Sequence, residues 1–216
     1  MDDLHKHISK LREDFTNGTL NESDVNEDPF AQFEKWLQQA VDSKIHEVQA
    51  MHLSSVSLEN KPSSRIVYLR EFEKNTFSFY TNYNSKKAQE LLKNPNAAIT
   101  FFWPDLERQI RIEGTIEKTS VAQSDNYFNQ RPYESKIGAW ASEQSYLLSS
   151  RKELEQKVEQ LKKQYKPETI TRPEFWGGLI LKANYYEFWQ GRKSRLHDRI
   201  CYEQENNIWK IKRIAP

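Results

Sequence analysis

The sequence predicts a mainly β protein with helices (α+β), an antiparallel barrel decorated by helices. Three observations carry this. Short segments of strand character follow one another across turns between residues 50 and 118, and again between 178 and 213. Helical segments interrupt them without the regular β–α–β alternation of a doubly wound sheet. Aromatic residues make up 12% of the chain, and large flat side chains pack well on pleated surfaces.

At 216 residues the chain can bury one sizeable core or two small ones. No internal repeat or low-complexity linker divides it, so one domain over 28–216 is expected, preceded by a mobile arm over 1–27. The arm is polar and ends in the acidic stretch Asn21–Asp28, with a short helix expected around Ile8–Phe15. Asp28-Pro29 opens the first clear helix, because Asp is a good N-cap and Pro fits the first helical position. Phe30, Phe33, Trp36, Leu37, Ala40 and Val41 form its apolar stripe.

Strands are expected at Met51–Leu58, Ser64–Arg70 and Thr76–Thr81, the first two joined by the turn Glu59-Asn60-Lys61-Pro62. A helix follows over Asn84–Lys93, capped by Asn84 or Ser85 and stopped by Asn94-Pro95. Ala97–Trp103 and Glu107–Lys118 read as strands, Val121–Gln130 and Ser149–Tyr165 as helices. Gly178–Gln190, Arg199–Gln204 and Asn207–Arg213 return to strand.

Composition excludes several functions. A net charge of +1 argues against an electrostatic nucleic-acid binder, which carries a clear basic excess. Cys201 is the single cysteine, so no internal disulfide can form, and no signal peptide is evident; a reducing, cytoplasmic setting is expected. The five histidines show no ligand-pair spacing with Cys201, so no metal is expected. No apolar run reaches membrane-spanning length. The phosphate-binding glycine loops, the nucleophile elbow and the H-E-x-x-H zinc motif are all missing.

Several constellations could hold an anion. Ser85-Lys86-Lys87-Ala88 opens a helix, where lysines are mildly unfavourable unless an anion joins them and the free N–H groups; the alternative is that both lysines extend into solvent. Arg65 and Arg70 flank Ile66-Val67-Tyr68-Leu69 and lie on opposite sides of a flat strand, as ligand contacts or as ordinary strand-end charges. Tyr127 and Arg131 share a helix face, Pro132 places Arg131 at the helix end, and Ser135 follows. Phenol, guanidinium and hydroxyl suit a phosphate clamp, or a solvated helix end. Gln109 offers donor and acceptor to a flat ring edge or to the sheet. Gln144-Ser145 is a polar loop pair. In Arg195-Leu196-His197-Asp198-Arg199, an extended backbone would put Arg195, His197 and Arg199 on one face, where an anion would relieve their repulsion.

The run Glu187-Phe188-Trp189-Gln190, four residues, then Arg195 to Arg199 resembles the C-terminal signature of the pyridoxamine/pyridoxine 5′-phosphate oxidase family. Further family motifs occur in order: Arg65-Ile66-Val67, Phe79-Tyr80-Thr81-Asn82, Ser85-Lys86-Lys87-Ala88, Glu107-Arg108-Gln109, Arg131-Pro132, Ser135 to Trp140, Phe175-Trp176-Gly177-Gly178 and the tail Trp209 to Pro216. The likeness runs from about Leu11 to Pro216.

The resemblance implies an FMN-binding split β-barrel, active as a homodimer with FMN at the subunit interface. It implies oxidation of pyridoxamine or pyridoxine 5′-phosphate to pyridoxal 5′-phosphate, with hydride passing to FMN and O2 reoxidising it to give hydrogen peroxide. Carried over by motif, FMN contacts are Arg65, Ile66, Val67, Tyr68, Leu69, Arg70, Tyr80, Thr81, Lys86, Lys87, Gln109, Gln144, Ser145, Trp189 and Arg199. Substrate contacts are Arg12, Phe15, Arg70, Tyr127, Arg131, Ser135, Arg195, Leu196 and His197, with Arg195 and His197 nearest the chemistry. Three positions depart from the family's usual pattern: Arg70 stands for Lys, Lys86 for Arg and Phe15 for Tyr. A non-catalytic binder of FMN or pyridoxal phosphate on the same barrel is the alternative.

Overall fold

The computed structural model describes residues 2–11, 14–206 and 208–216. In chain order the elements are α1 (Asp2–Lys10), α2 (Pro29–Asp42), β1 (Ala50–Val56), β2 (Pro62–Tyr68), β3 (Glu71–Glu73), β4 (Thr76–Asn82), α3 (Lys86–Lys93), β5 (Asn96–Trp103), β6 (Arg108–Lys118), α4 (Val121–Gln130), α5 (Tyr133–Ala141), α6 (Arg151–Gln164), β7 (Trp176–Gln190), β8 (Asp198–Glu205) and β9 (Ile208–Arg213). The strands join in the order β2-β1-β5-β6-β7-β4-β3, with β8 on β7 and β9 on β8. This is the α+β class expected. The chain divides into two compact units, one of residues 49–99 and 113–184, the other of 2–48, 100–112 and 185–216.

In the first unit, β1 and β2 pair antiparallel from Ala50–Tyr68 to Val56–Pro62, closed by a turn with Asn60 at φ 58°. Strand β4 pairs antiparallel with β7, setting Tyr80 opposite Gly178 and Thr81 opposite Gly177. A side chain at Gly177 would place its Cβ 2.2 Å from the Tyr83 hydroxyl, so only glycine fits. Ser85 caps α3 by accepting the Ala88 N–H, and Ser120 caps α4 by accepting the Gln123 N–H. Helix α4 ends at Arg131, whose ψ of 146° is the extended geometry Pro132 imposes. Helix α5 buries Ile137, Ala139 and Ala141, and Ile137 and Ala139 pack in a core with Phe128, Ile170 and Trp176.

In the second unit, Asp28 accepts the Phe30 N–H and starts α2. The stripe buries Phe33, Trp36 and Ala40, with Phe33 5.5 Å from Phe101 and Trp36 edge-on to Phe188 at 5.2 Å. Strands β7 and β8 pair from Tyr185–Glu203 to Gln190–Asp198, and β8 pairs with β9.

Three expectations are corrected. The N-terminal helix lies at Asp2–Lys10 rather than Ile8–Phe15. Residues 195–199 are not one extended segment: Lys193–Arg195 forms a 3₁₀ turn, Ser194 and Arg195 have φ of 57° and 63°, and β8 begins at Asp198. The shared face expected for Arg195, His197 and Arg199 is therefore lost. Helix α5 and the short β3 were not expected; Gly138 weakens the helical pattern of α5, and three residues give β3 no periodicity to read.

Candidate active site

The first unit holds a cavity of about 690 Å³, within the range of cofactor and ligand sites. Ile66, Val67, Tyr68, Arg70, Tyr80, Thr81, Lys87, Tyr127, Arg131, Ser135 and Gln144 all line it, so a large share of the residues expected to bind cofactor or substrate meet in one place. Asn82, Gln130, Ser142 and Trp176 line it too and were given no role by sequence reasoning. Asn82 and Trp176 belong to motifs already conspicuous in the sequence; Gln130 and Ser142 carry no local signal.

One group of polar atoms centres on the start of α3. The Lys87 ammonium donates to Gln144 Oε1 at 2.9 Å and Thr81 Oγ1 at 3.1 Å. Both acceptors are neutral, so no carboxylate compensates the charge among these contacts. Burial, followed by repulsion from Arg65, pulls the Lys87 pKa down to about 8. Ser145, held at φ 76°, accepts the Lys86 N–H at 3.1 Å. The Lys86 side chain is exposed, 3.9 Å from Glu90.

This lysine sets a pH dependence. Ligand-free Lys87 loses its proton as pH rises through about 8, while a bound phosphate favours the ammonium. Phosphate binding above pH 8 must then take up a proton. The dissociation constant for inorganic phosphate there is expected to rise by up to about tenfold per pH unit, and Lys87→Met should abolish that slope. Calorimetric titration with phosphate between pH 7 and 9.5 measures it.

The second polar group lies on α4 and α5. Tyr80 and Tyr127 stack 3.7 Å apart at 6°, and Trp176 is nearly parallel to both. The Arg131 guanidinium sits 4.5 Å from the Trp176 ring centre. Arg131 Nη1 is buried with no hydrogen-bond partner among the described residues. Burial pushes the Arg131 pKa down; the neighbouring Tyr127 opposes this and Arg70 adds to it. A buried donor left open beside a second cation is an anion site in its electrostatics. Ser135, in the first turn of α5, faces the same cavity.

Two of the expected contact residues are engaged elsewhere. Arg65 donates to Ser55 Oγ at 2.7 Å and Ser63 Oγ at 2.6 Å, and pairs with the buried Glu90 at 3.5 Å. Leu69 is 6% exposed and belongs to the core.

The second unit carries the other expected residues. His197 lies 4.6 Å from Trp189 and 5.5 Å from Phe15, ring centre to ring centre. The Arg192 backbone N–H donates to His197 Nδ1 at 3.1 Å, which leaves Nε2 to carry the proton of the neutral ring. Burial and then Arg195 push the His197 pKa down, with Asp198 opposing them. Arg195 and Leu196 are exposed. Arg199 grips Glu187 through two hydrogen bonds of 2.8 and 3.0 Å, and Arg111 approaches the same carboxylate at 3.3 Å. Gln109 is half-buried on β6. Arg12 lies outside the described residues. Sequence reasoning missed the anchoring roles of Glu187 and Asp198, because which carboxylate meets which guanidinium depends on strand register.

An antiparallel α+β protein whose cavity offers two cationic anchors, one of them flanked by parallel aromatic rings, has the character of a binder of phosphorylated, planar molecules. Residues 37–165 match the pyridoxamine 5′-phosphate oxidase family, and residues 176–216 match the pyridoxine 5′-phosphate oxidase C-terminal dimerisation region. The chain belongs to the pyridoxamine 5′-phosphate oxidase family. It is 50% identical over 210 residues to a pyridoxine/pyridoxamine 5′-phosphate oxidase of Microcystis aeruginosa, covering 97% of this chain and 98% of that one. It is 49% identical to the enzyme of the same name from Actinobacillus pleuropneumoniae serotype 5b, over 99% of this chain and 100% of that one. Among solved structures, PhzG from Burkholderia lata, in complex with tetrahydrophenazine-1-carboxylic acid, superposes with a TM-score of 0.86 at 26% identity, covering 92% of this chain and 98% of that one. A pyridoxamine 5′-phosphate oxidase-related, FMN-binding protein from Nostoc punctiforme shares the fold with a TM-score of 0.69 at 16% identity, over 89% of this chain and 100% of that one. The fold is the split barrel of these proteins.

Proposed function

We propose that this chain is an FMN-dependent oxidase that converts pyridoxamine 5′-phosphate or pyridoxine 5′-phosphate to pyridoxal 5′-phosphate. One observation carries the reading at the level of the site. A single cavity holds Lys87, satisfied only by neutral acceptors, and Arg131, with a buried donor left open. Two cationic anchors suit two phosphorylated molecules, a cofactor and a substrate.

The residues fit FMN. Lys87 and Thr81 suit its phosphate, with Lys86, Gln144 and Ser145 as further contacts and Arg65 set back as support. Ile66 to Arg70 and Tyr80 suit its ring and ribityl chain; Gln109, Trp189 and Arg199 are further contacts, Arg199 being pre-oriented by Glu187. Bound FMN supplies the acceptor for two electrons from the substrate C4′ carbon and delivers them to O2, giving hydrogen peroxide.

The chain's own groups bind and orient. Arg131, Tyr127, Ser135 and Arg70 hold the substrate phosphate. Arg195 and His197 place and polarise the pyridine ring near its reacting carbon, with Leu196 exposed beside them, His197 donating from Nε2 while its Nδ1 is occupied. We read residues 1–27 as a mobile N-terminal arm and residues 28–216 as a single FMN-binding domain, with Phe15, packed on His197, and Arg12, outside the described residues, as the arm's substrate contacts. The C-terminal dimerisation region makes the functional unit a homodimer, and we place FMN at the subunit interface. No helix among the described residues is long and apolar enough to cross a membrane, and we place the enzyme in the cytoplasm.

Anaerobic addition of pyridoxine 5′-phosphate to the FMN-loaded protein tests the reading. The visible flavin band should bleach and return when air is admitted. A band that forms but stays oxidised would leave a flavin-binding protein with no oxidase activity.

A further inference from the structure

Asp198 stands between His197 and Arg199 and belongs to neither expected set of contacts, yet it is the most heavily engaged carboxylate near His197. Its Oδ1 accepts from Arg213 Nη1 at 2.8 Å. Its Oδ2 accepts from Arg192 Nη1 at 2.7 Å and from the Leu20 backbone N–H at 3.0 Å. The side chain is only 13% exposed, so these partners replace water rather than supplement it.

The three bonds lead to two different segments. Arg192 opens the turn that carries Arg195 and His197, and its own N–H holds His197 Nδ1. That turn contains two residues in the left-handed region, Ser194 and Arg195, so it needs external bonds to keep its shape. Leu20 ends the segment that packs Phe15 on Trp189 and His197. Arg213 reinforces that end, donating to the Leu20 carbonyl at 2.8 Å and gripping Glu22 at 2.7 and 2.9 Å. Gly191 completes the fit: a Cβ there would come within 2.7 Å of the Phe15 ring, so the glycine is the floor on which Phe15 rests.

We propose that Asp198 is a positioning residue: its carboxylate fastens the turn carrying Arg195 and His197 to the N-terminal segment carrying Phe15, so that the two close over substrate as one body. The role in turnover rests on the oxidase reading above; the fastening itself does not. The groups around His197 are Arg195 and Asp198 on its own segment, the Phe15 and Trp189 rings, and Asp14, whose carboxylate meets the Ser194 N–H at 3.4 Å.

The test uses the FMN-loaded protein and Asp198→Asn, which keeps an oxygen for the Leu20 N–H and withdraws the charge from both guanidiniums. Three quantities are read: chymotryptic cleavage after Phe15, titration of the His197 imidazole by NMR, and kcat and KM for pyridoxine 5′-phosphate. Fastening predicts faster cleavage, and a kcat lower by about tenfold, the size of one lost charge-assisted hydrogen bond. It also predicts a His197 pKa that rises towards its ordinary value as the Arg192 bond and burial loosen. A purely Coulombic influence predicts the opposite sign, because losing a nearby carboxylate disfavours the imidazolium. Cleavage at the native rate together with an unchanged or lowered imidazole pKa would overturn the proposal, whatever happens to turnover. A native protein that bleaches no flavin would sink the oxidase reading instead, and cleavage and titration would still decide the role of Asp198. If Asp198→Asn does not fold, Arg192→Met must release His197 and Arg213→Met must expose Phe15; failure of either overturns the fastening.

Discussion

Arg131→Met is expected to raise the KM for pyridoxine 5′-phosphate by about 10- to 100-fold, leave kcat within a few-fold, and leave the ligand-free fold intact. The magnitude is that of one charge-assisted hydrogen bond to phosphate, roughly 1.5–3 kcal/mol. The effect falls on KM because the phosphate is remote from the reacting carbon and is gripped alike in ground and transition states. Stability should respond differently. In the ligand-free protein Arg131 Nη1 is buried without a partner, and its guanidinium is desolvated against Trp176. A thioether of similar length keeps the packing on Trp176 and relieves the open donor, so unfolding free energy should stay within about 1 kcal/mol or rise. Arg131→Lys, which keeps charge but loses the planar fork, should fall between the two in KM. Parallel loss of KM, kcat and melting temperature would show instead that Arg131 is a structural cation. Steady-state kinetics at several substrate concentrations, with a thermal melt of each variant, separates these outcomes.

Much of the molecule was legible because its strongest signals are local. Asp28-Pro29 starts α2 and Ser85, one of the two caps the sequence offers, starts α3, while Pro132 ends α4 at Arg131. That Lys87 and Arg131 could reach a common cavity was legible for the same reason, since a helix start and a helix end fix where each can reach. The conformation of residues 193–197 was not. An extended backbone over 195–199 would have aligned the cations, but Ser194 and Arg195 sit in the left-handed region, held by contacts from distant parts of the chain: Asp14, Leu20 and Arg213. Such contacts have no local trace. Arg65 is the converse case: its position beside the cavity strand was readable, yet Glu90, Ser55 and Ser63 claim its guanidinium, and that carboxylate arrives from a helix 25 residues away.

Arg195→Leu should have the larger effect on turnover and the smaller one on folding. The side chain is exposed, and no hydrogen bond or ion pair holds it among the described residues, so its removal should change stability by no more than about 0.5 kcal/mol. The strain of φ 63° is borne by leucine much as by arginine, so the turn gains nothing from the change. Turnover should fall by about 10²–10³, the usual consequence of removing one preorganised charge from a developing one. A second readout ties the loss to this site. Arg195 is one of the groups holding the His197 pKa below 6.5, after burial, so Arg195→Leu should let that pKa rise. The sign follows from linkage. An imidazole depressed in the folded protein contributes stability that is complete above about 6.5 and is lost as pH falls through the folded value; in the variant that loss is smaller and is complete at a higher pH. A shallow-pH series of imidazole spectra, run beside kcat and the thermal melt, measures all three. If kcat and melting temperature fall together while His197 titrates as before, Arg195 braces the turn and does not act on the substrate. If kcat falls alone and His197 moves up, the guanidinium acts at the reacting ring, because an exposed side chain that no hydrogen bond or ion pair holds among the described residues has no fastening to lose.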